Sequence, residues 1–339
     1  MLRIDSSAQP ARRRFHRLGV LTATIGLLGS LSGCGLLGGS DDSAAEGNGP
    51  LEKSKIKVSI MPTIDVAPFH LANKNGYFKA EGLDVEIVNA PSGQASVTKL
   101  VNGEVDIAYG SYTPFFVVKS QGAADVRIIA DASSAGPKST MVVAMPSSTV
   151  KSVQDMAGKR VAITGRNTIT DTLIKSVMKT NGVDFNGVQW VEFPFPEIAP
   201  ALQRGDADAG FLTEPFITQA SRTVGAVPVF DTAVGPTQDF PTAGYGTLGK
   251  FADENPKTAA AFQRVMQKAT VEAADRSKIE PLLVEFAKVD PPTASQTGLL
   301  TFQSKLEAAR LQRVPDILLE FGIISTKVSA DDMIVKPAA

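Results

Sequence analysis

From Lys55 onward the chain alternates short apolar runs with stretches of helical period. The runs KIKVSI (Lys55 to Ile60), DVEIV (Asp84 to Val88), VDIAY (Val105 to Tyr109) and VRIIA (Val126 to Ala130) read as strands. Between them FHLANKNGYF, QASVTKLVNG and TPFFVVKSQG each fit one short helix, two closing at a Gly and one at Asn75-Gly76. Such alternation predicts βαβ units and a mostly parallel sheet. The pattern then starts again. KRVAI (Lys159 to Ile163) precedes a helical stretch from Asn167 to Thr180. VQWVEF precedes another from Pro196 to Arg204, and ADAGFL precedes a third from Pro215 to Ala220. AVPVF (Ala226 to Phe230) completes the second set.

Two segments within these sets share one pattern. In NGEVDIAYGSYTPF and RGDADAGFLTEPF, Gly103, Asp106, Tyr109 and Pro114 answer Gly205, Asp208, Phe211 and Pro215. The repeat places a third strand and its exit loop in each of two lobes of like topology. STMVVAM (Ser139 to Met145) and TAGYGTLG (Thr242 to Gly249) suit extended hinge strands joining the lobes. The remainder is mostly helical: one helix starts at Asn255 with Pro256 in its first turn, and others cover Lys278 to Lys288 and Val314 to Phe321. This tail is expected to return to the first lobe. The expected boundaries are 55–140 for lobe 1, 141–243 for lobe 2 and 244–339 for the return.

The N-terminus departs from this pattern. ARRRFHR precedes an apolar run, Leu18 to Leu31, of about 14 residues, too short for the roughly 20 that span a bilayer as a helix. A basic segment followed by a short apolar one reads as an export signal, here residues 1–33. RRRF also resembles the twin-arginine export signal, with Ala11 where that pattern has Ser or Thr and His16 where it has Leu. LSGC resembles the lipobox of bacterial lipoproteins, which makes Cys34, the only cysteine, an acylation site. Residues 34–54, rich in Gly, Ser, Ala and acids, read as a flexible tether. With several acyl chains on Cys34 the body would be lipid-anchored on the outer face of the membrane.

Composition narrows the function. A 43% hydrophobic content, 20% charged residues and a net charge of −1 describe an ordinary globular protein, with no basic surplus to suggest nucleic acid. There is no nucleophile elbow, P-loop, Cys/His metal spacing or dinucleotide fingerprint. Of the two histidines, His16 lies in the signal and His70 on the first predicted helix. No cofactor, metal or catalytic residue is expected.

In open α/β sheets ligands lie beyond the C-terminal strand ends, beside helix N-termini. Five loops qualify. Asp65 offers a carboxylate for a cation or donor, or caps the following helix. Ser92, Gly93 and Gln94 stand at a helix start, where Gly permits close approach and Gln94 can donate and accept, or they serve capping alone. Of Ser111, Tyr112 and Thr113, Thr113 suits an N-cap and Tyr112 suits ligand contact. Arg166, Asn167 and Thr168 open the helix after Gly165, where an Arg beside free N–H groups makes an oxyanion receptor or a solvated surface residue. Glu214 stands opposite, able to bind an amino group or to pair with Arg166 across a closed cleft.

The segments GYFKAEGLDVEIV, LVNGEVDIAYG, VQDMAGKRVAI and TEPF resemble the nitrate/sulfonate/taurine and thiamine-precursor family of ABC-importer solute-binding proteins, over roughly Ile56 to Lys288. The resemblance implies a two-lobed periplasmic-binding-protein type II fold that closes on a solute and delivers it to a membrane permease with its ATPase. It implies a monomer and a small polar or anionic solute, sulfonate-, taurine- or nitrate-like, or a pyrimidine or aromatic acid. A sensor lipoprotein would use the same fold without transport. The fold family also includes a pyrimidine synthase that consumes its own histidine and has a cysteine-rich motif. With no cysteine after Cys34, that activity is not carried over.

Overall fold

The structure, a computed structural model, describes residues 50–336. The predicted export signal, Cys34 and the tether up to residue 49 lie outside the described residues. The last residues of the predicted tether are held in place: Glu52 accepts hydrogen bonds from the backbone N–H groups of Lys257 and Thr258, both at 3.1 Å. Those groups are free donors of a helix N-terminus, which a carboxylate satisfies.

The first set comprises β1 (Lys55–Ile60), α1 (Ala67–Lys74), α2 (Tyr77–Ala80), β2 (Asp84–Asn89), α3 (Gly93–Val101), β3 (Ile107–Ser111), α4 (Tyr112–Ser120) and β4 (Val126–Ser134). The second comprises β5 (Thr140–Ala144), β6 (Arg160–Ile163), α5 (Ile169–Thr180), β7 (Gln189–Glu192), α6 (Phe195–Arg204), β8 (Ala209–Thr213), α7 (Phe216–Val224) and β9 (Val227–Asp231). After β10 (Pro241–Leu248) come α8 (Gly249–Glu254), α9 (Pro256–Glu272), α10 (Arg276–Phe286), α11 (Pro291–Gln296), β11 (Thr301–Phe302), α12 (Ala308–Leu311) and α13 (Arg313–Glu320). Among the described residues, no helix is long and apolar enough to cross a membrane.

Two mixed sheets result, ordered β11-β4-β10-β3-β1-β2 and β7-β6-β8-β5-β9. In the first, β1 pairs in parallel with β2 and β3, while β10 runs antiparallel between β3 and β4. In the second, β6 pairs in parallel with β7 and β8, and β5 runs antiparallel between β8 and β9. Apart from the edge strand β11 the topologies are the same. Each is a parallel set with one reversed strand that the other half of the chain supplies.

This corrects the expectation of two hinge strands. β5 and β10 are interior members of the sheets, and the chain crosses between lobes at 135–139 and 232–240. The crossovers lie side by side, with Ala135 N–H donating to Phe240 O at 2.9 Å and Thr232 N–H to Thr140 O at 3.1 Å. The glycines of β10 have a packing cause instead. A Cβ on Gly244 would meet the Tyr112 hydroxyl at 2.4 Å, and one on Gly246 would meet the Phe115 ring at 2.4 Å. Two rings of α4 thus lie flat on β10. A second correction concerns Phe69 to Phe78: Gly76 at φ 72° ends one helical turn and starts another, so α1 and α2 replace the single helix.

The repeated pattern has a physical explanation. Asp106 accepts the backbone N–H of Lys57 at 2.9 Å, and Asp208 accepts that of Arg160 at 2.9 Å. In each lobe the aspartate fixes the register of the third strand on the first. Gly103 and Gly205 adopt φ 73° and 77° to turn the preceding helix into that strand.

The tail is shared rather than confined to the first lobe. Helix α9 packs on α1 and β4. Farther on, Lys179 of α5 pairs with Glu320 at 2.6 Å, and Arg313 donates to the carbonyls of Pro236, Gln238 and Asp239 at 2.7–3.0 Å. On the opposite flank Arg222 of α7 donates to Thr293 at 3.1 Å.

Candidate functional site

A cavity of about 50 Å³ lies between the two sheets, beyond the C-terminal ends of their parallel strands. The first lobe contributes Met61, Thr63 and Asp65 after β1, Gly93 at the start of α3, and Tyr109 and Ser111 at the end of β3. The second contributes Thr164, Thr168 and Ile169 after β6, Phe195 at the start of α6, and Phe211 and Thr213 at the end of β8. The crossovers add Ser139, Thr140, Thr242 and Ala243, and the tail adds Leu300. The two copies of the repeat therefore place matching residues on opposite walls, Tyr109 and Ser111 facing Phe211 and Thr213.

Asp65 sits in a short 3₁₀ turn, Ile64–Val66, and caps no helix. It is buried, and Ser133 Oγ donates to its Oδ1. Ser133 also contacts Thr242 Oγ1 at 2.6 Å, and the Thr63 and Tyr109 hydroxyls meet at 2.9 Å beside it. Burial pushes the Asp65 carboxyl up from its ordinary range, against the lowering effect of the Ser133 bond. The Tyr109 and Tyr245 hydroxyls are held neutral, chiefly by burial and further by Asp65.

The expected site residues divide. Asp65, Gly93, Ser111 and Thr168 line the cavity. Gly93 approaches the third strand so closely that a Cβ there would lie 3.3 Å from Ser111 N. Ser92 caps α3 by accepting from Ala95 N–H at 3.2 Å, and Gln94 is exposed. Thr168 caps α5 in a reciprocal box with Asp171, whose carboxylate accepts the N–H groups of Asn167 and Thr168 at 3.1 and 2.9 Å.

Four expectations need correction. Tyr112 is no ligand contact: it opens α4 fully buried against Gly244 and donates to Asp131 at 2.7 Å. Thr113 is not an N-cap, because α4 starts one residue earlier; its buried hydroxyl has no partner. Arg166 and Asn167 are exposed and do not reach the cavity. Arg166 donates to Trp190 O at 3.1 Å and lies 3.8 Å from Glu192, while Asn167 takes φ 55° in the turn before the cap. Glu214 does not pair with Arg166. Its buried carboxylate accepts from Thr218 N–H at 3.1 Å, Thr218 Oγ at 2.8 Å and Gly298 N–H at 3.0 Å. Its carbonyl accepts from Ile64 N–H at 3.1 Å. Glu214 is thus a strap between the lobes.

The ring walls and most of the hydroxyls were missed. Phe211 and Thr213 could have been found by carrying the Tyr109 and Ser111 positions through the repeat; Phe195, Thr140 and Thr242 had no comparable signal. Among the described residues no group of His, Cys, Asp and Glu is arranged to hold a metal ion.

Residues 63–278, more than half of the chain, match the family described as NMT1/THI5 like. The taurine-binding periplasmic protein of Escherichia coli (strain K12) is 26% identical over 211 residues, which are 62% of this chain and 64% of that protein. The formylaminopyrimidine-binding protein of Halalkalibacterium halodurans is 25% identical over 179 residues, 53% of this chain and 51% of that protein. The chain thus spans only about half to two thirds of these relatives' length. Among solved structures, the alkanesulfonate-binding protein SsuA from Xanthomonas axonopodis pv. citri, bound to MOPS, superposes with a TM-score of 0.73 at 15% identity. The match covers 85% of this chain and all (100%) of that one, and shows a shared fold.

Proposed function

Because this chain belongs to the NMT1/THI5-like family, we propose that it is the solute-binding subunit of an ABC importer, capturing a small polar organic solute between its lobes and delivering it to a permease. The observation that carries this reading is the cavity between the sheets, to which the strand ends of both contribute matching residues. Lobe 1, residues 55–134 with β10, and lobe 2, residues 140–231, move about the paired crossovers, with the tail packed against both. A solute that touches both walls favours the closed form, since only there does it meet the second wall. The protein works as a monomer, lipid-anchored through Cys34 outside the cell membrane, and releases its solute unchanged.

The test is scattering and uptake together. A solute that binds in solution should reduce the radius of gyration, and deletion of the gene should abolish import of the same solute. Binding without any change in uptake would instead support a sensor, and conversion of the ligand with time would support an enzyme.

A further inference from the structure

The chemistry of the cavity wall narrows the solute, given the solute-binding reading above. Asp65 is the one charged residue among the cavity's described lining residues, which include no Lys, Arg or His. The cations that could have served an anion are engaged elsewhere. Arg166 faces outward onto Trp190 and Glu192, and Arg310 is bound to Asp131 and Ser134. The start of α5 is closed by the protein's own capping box: Thr168 Oγ1 accepts from Thr170 N–H, and the Asp171 carboxylate takes the N–H groups of Asn167 and Thr168. A sulfonate or nitrate would therefore meet no cation in the cavity, and only a carboxyl that repels it once ionised.

We propose that the cleft selects a small organic molecule with a protonated amine or amidine-type N–H edge on a flat apolar body, and that Asp65 receives those N–H groups. A buried carboxylate that lacks a cationic partner is destabilising, and a ligand cation supplies that partner together with charge-assisted hydrogen bonds. Three hydroxyls bond the Asp65 carboxyl, Ser133 at Oδ1 with Thr63 and Tyr109 beside it, and none of these donors carries a positive charge. Tyr109, Phe195, Phe211 and Met61 supply faces for a ring, and Ser111, Thr164 and Thr213 supply hydroxyls at its other edge. Buried cations stack favourably on such rings. In the empty cleft Asp65 holds its proton to a higher pH than an exposed aspartate, so binding of a cation at a pH where that proton is still held releases it. The ionisable groups facing it, Tyr109 from β3 and Tyr245 from β10, stay neutral throughout.

Two probes of the same shape and opposite charge, benzamidinium and benzenesulfonate, test this by calorimetry on the full chain, with nitrate and taurine alongside. The expected result is that benzamidinium binds the wild type at least tenfold more tightly than benzenesulfonate. Asp65→Asn, which keeps the size of the side chain and an acceptor for Ser133, should weaken benzamidinium at least tenfold. Proton release on binding, read from the dependence of the heat on buffer ionisation, should vanish in Asp65→Asn. Should Asp65→Asn fail to fold, the charge preference and proton release of the wild type decide alone. Tighter binding of benzenesulfonate or nitrate, or of benzamidinium to both proteins equally, overturns the inference and leaves solute capture standing. Silence from every probe also overturns it, and the uptake experiment then judges the solute-binding reading separately.

Discussion

The strap at Glu214 gives the most direct test of closure. The Gly298 N–H bond at 3.0 Å joins the loop after β8 to the segment between α11 and β11, and so joins the two lobes. The two bonds from Thr218 lie within lobe 2. A hydrogen bond to a charged group contributes about 1.5 to 3 kcal/mol. Glu214→Ala removes it while the backbone bond from Ile64 to residue 214 survives. When the open form predominates without ligand, the apparent affinity scales with the closing equilibrium, so the solute should bind roughly 10- to 150-fold more weakly. Loss of the Thr218 N–H contact at the start of α7 also costs about 1 kcal/mol of lobe stability, as for a lost N-cap. The control is therefore Thr218→Val, which removes only the hydroxyl bond inside lobe 2. The assay is titration calorimetry with the solute identified by uptake, together with scattering at one fixed, sub-saturating solute concentration. Glu214→Ala should be less compacted and weaker in binding; Thr218→Val should match the wild type in both. Equal affinities for Glu214→Ala and wild type would refute the strap.

Other expectations follow from single contacts. Gly244→Ala drives a methyl into the Tyr112 ring and should lower the unfolding free energy by about 1 to 3 kcal/mol, read from urea titration; an unchanged midpoint would mean that α4 is free to lift off β10. Arg310→Met leaves Asp131 buried with only Tyr112 and its own backbone neighbour as donors and should cost about 3 to 5 kcal/mol in the same assay. The Asp65 carboxyl is raised in the folded state, so its stabilising contribution is complete below its ordinary value of 3.8 and is lost as pH rises through the folded value. The urea midpoint of the wild type should fall relative to Asp65→Asn as pH rises above about 4, and parallel curves would remove the burial argument. His70 is stacked on Phe286 at 4.2 Å, and burial, opposed by Glu285, pushes its pKa down to about 4; an NMR titration with a midpoint near 6.5 would contradict that environment.

The alternation of apolar runs and helical periods located nearly every element of the two sheets, because interior strands such as VRIIA and helices such as QASVTKLVN obey local rules. What it missed depends on distant partners. Gly244 and Gly246 looked like flexibility, yet they are smooth surface for Tyr112 and Phe115, rings more than a hundred residues earlier in the chain. Tyr112 looked like a free aromatic in a polar loop because nothing nearby reveals that Asp131 will take its hydroxyl. Arg166 stands beside a helix start, as an oxyanion receptor should. Its direction is set by Glu192 and Trp190, which β7 places on the outer side. Asp65 was legible as either cap or ligand group, and the choice turned on the backbone: the turn at Ile64–Val66 provides no helix N-terminus for it to cap.

The repeat does more than duplicate a strand. Asp106 and Asp208 sit at the start of β3 and β8 and fix register, so the far ends of those strands arrive at equivalent heights in both lobes. Tyr109 and Phe211 then line the cavity from matching positions in the two lobes. The lobes differ where the repeat stops. The first has Asp65 with Ser133 and Thr63 around it, and the second has Phe195, Ile169 and a row of hydroxyls. One wall thus carries the charge and the other chiefly surface and neutral hydroxyls. A solute that satisfies Asp65 alone gains nothing from closing; one that also has a flat body gains the second wall only in the closed form. If the cleft takes such a solute, selectivity for shape and the drive to close are the same interaction, and Asp65 sets which molecules can use it.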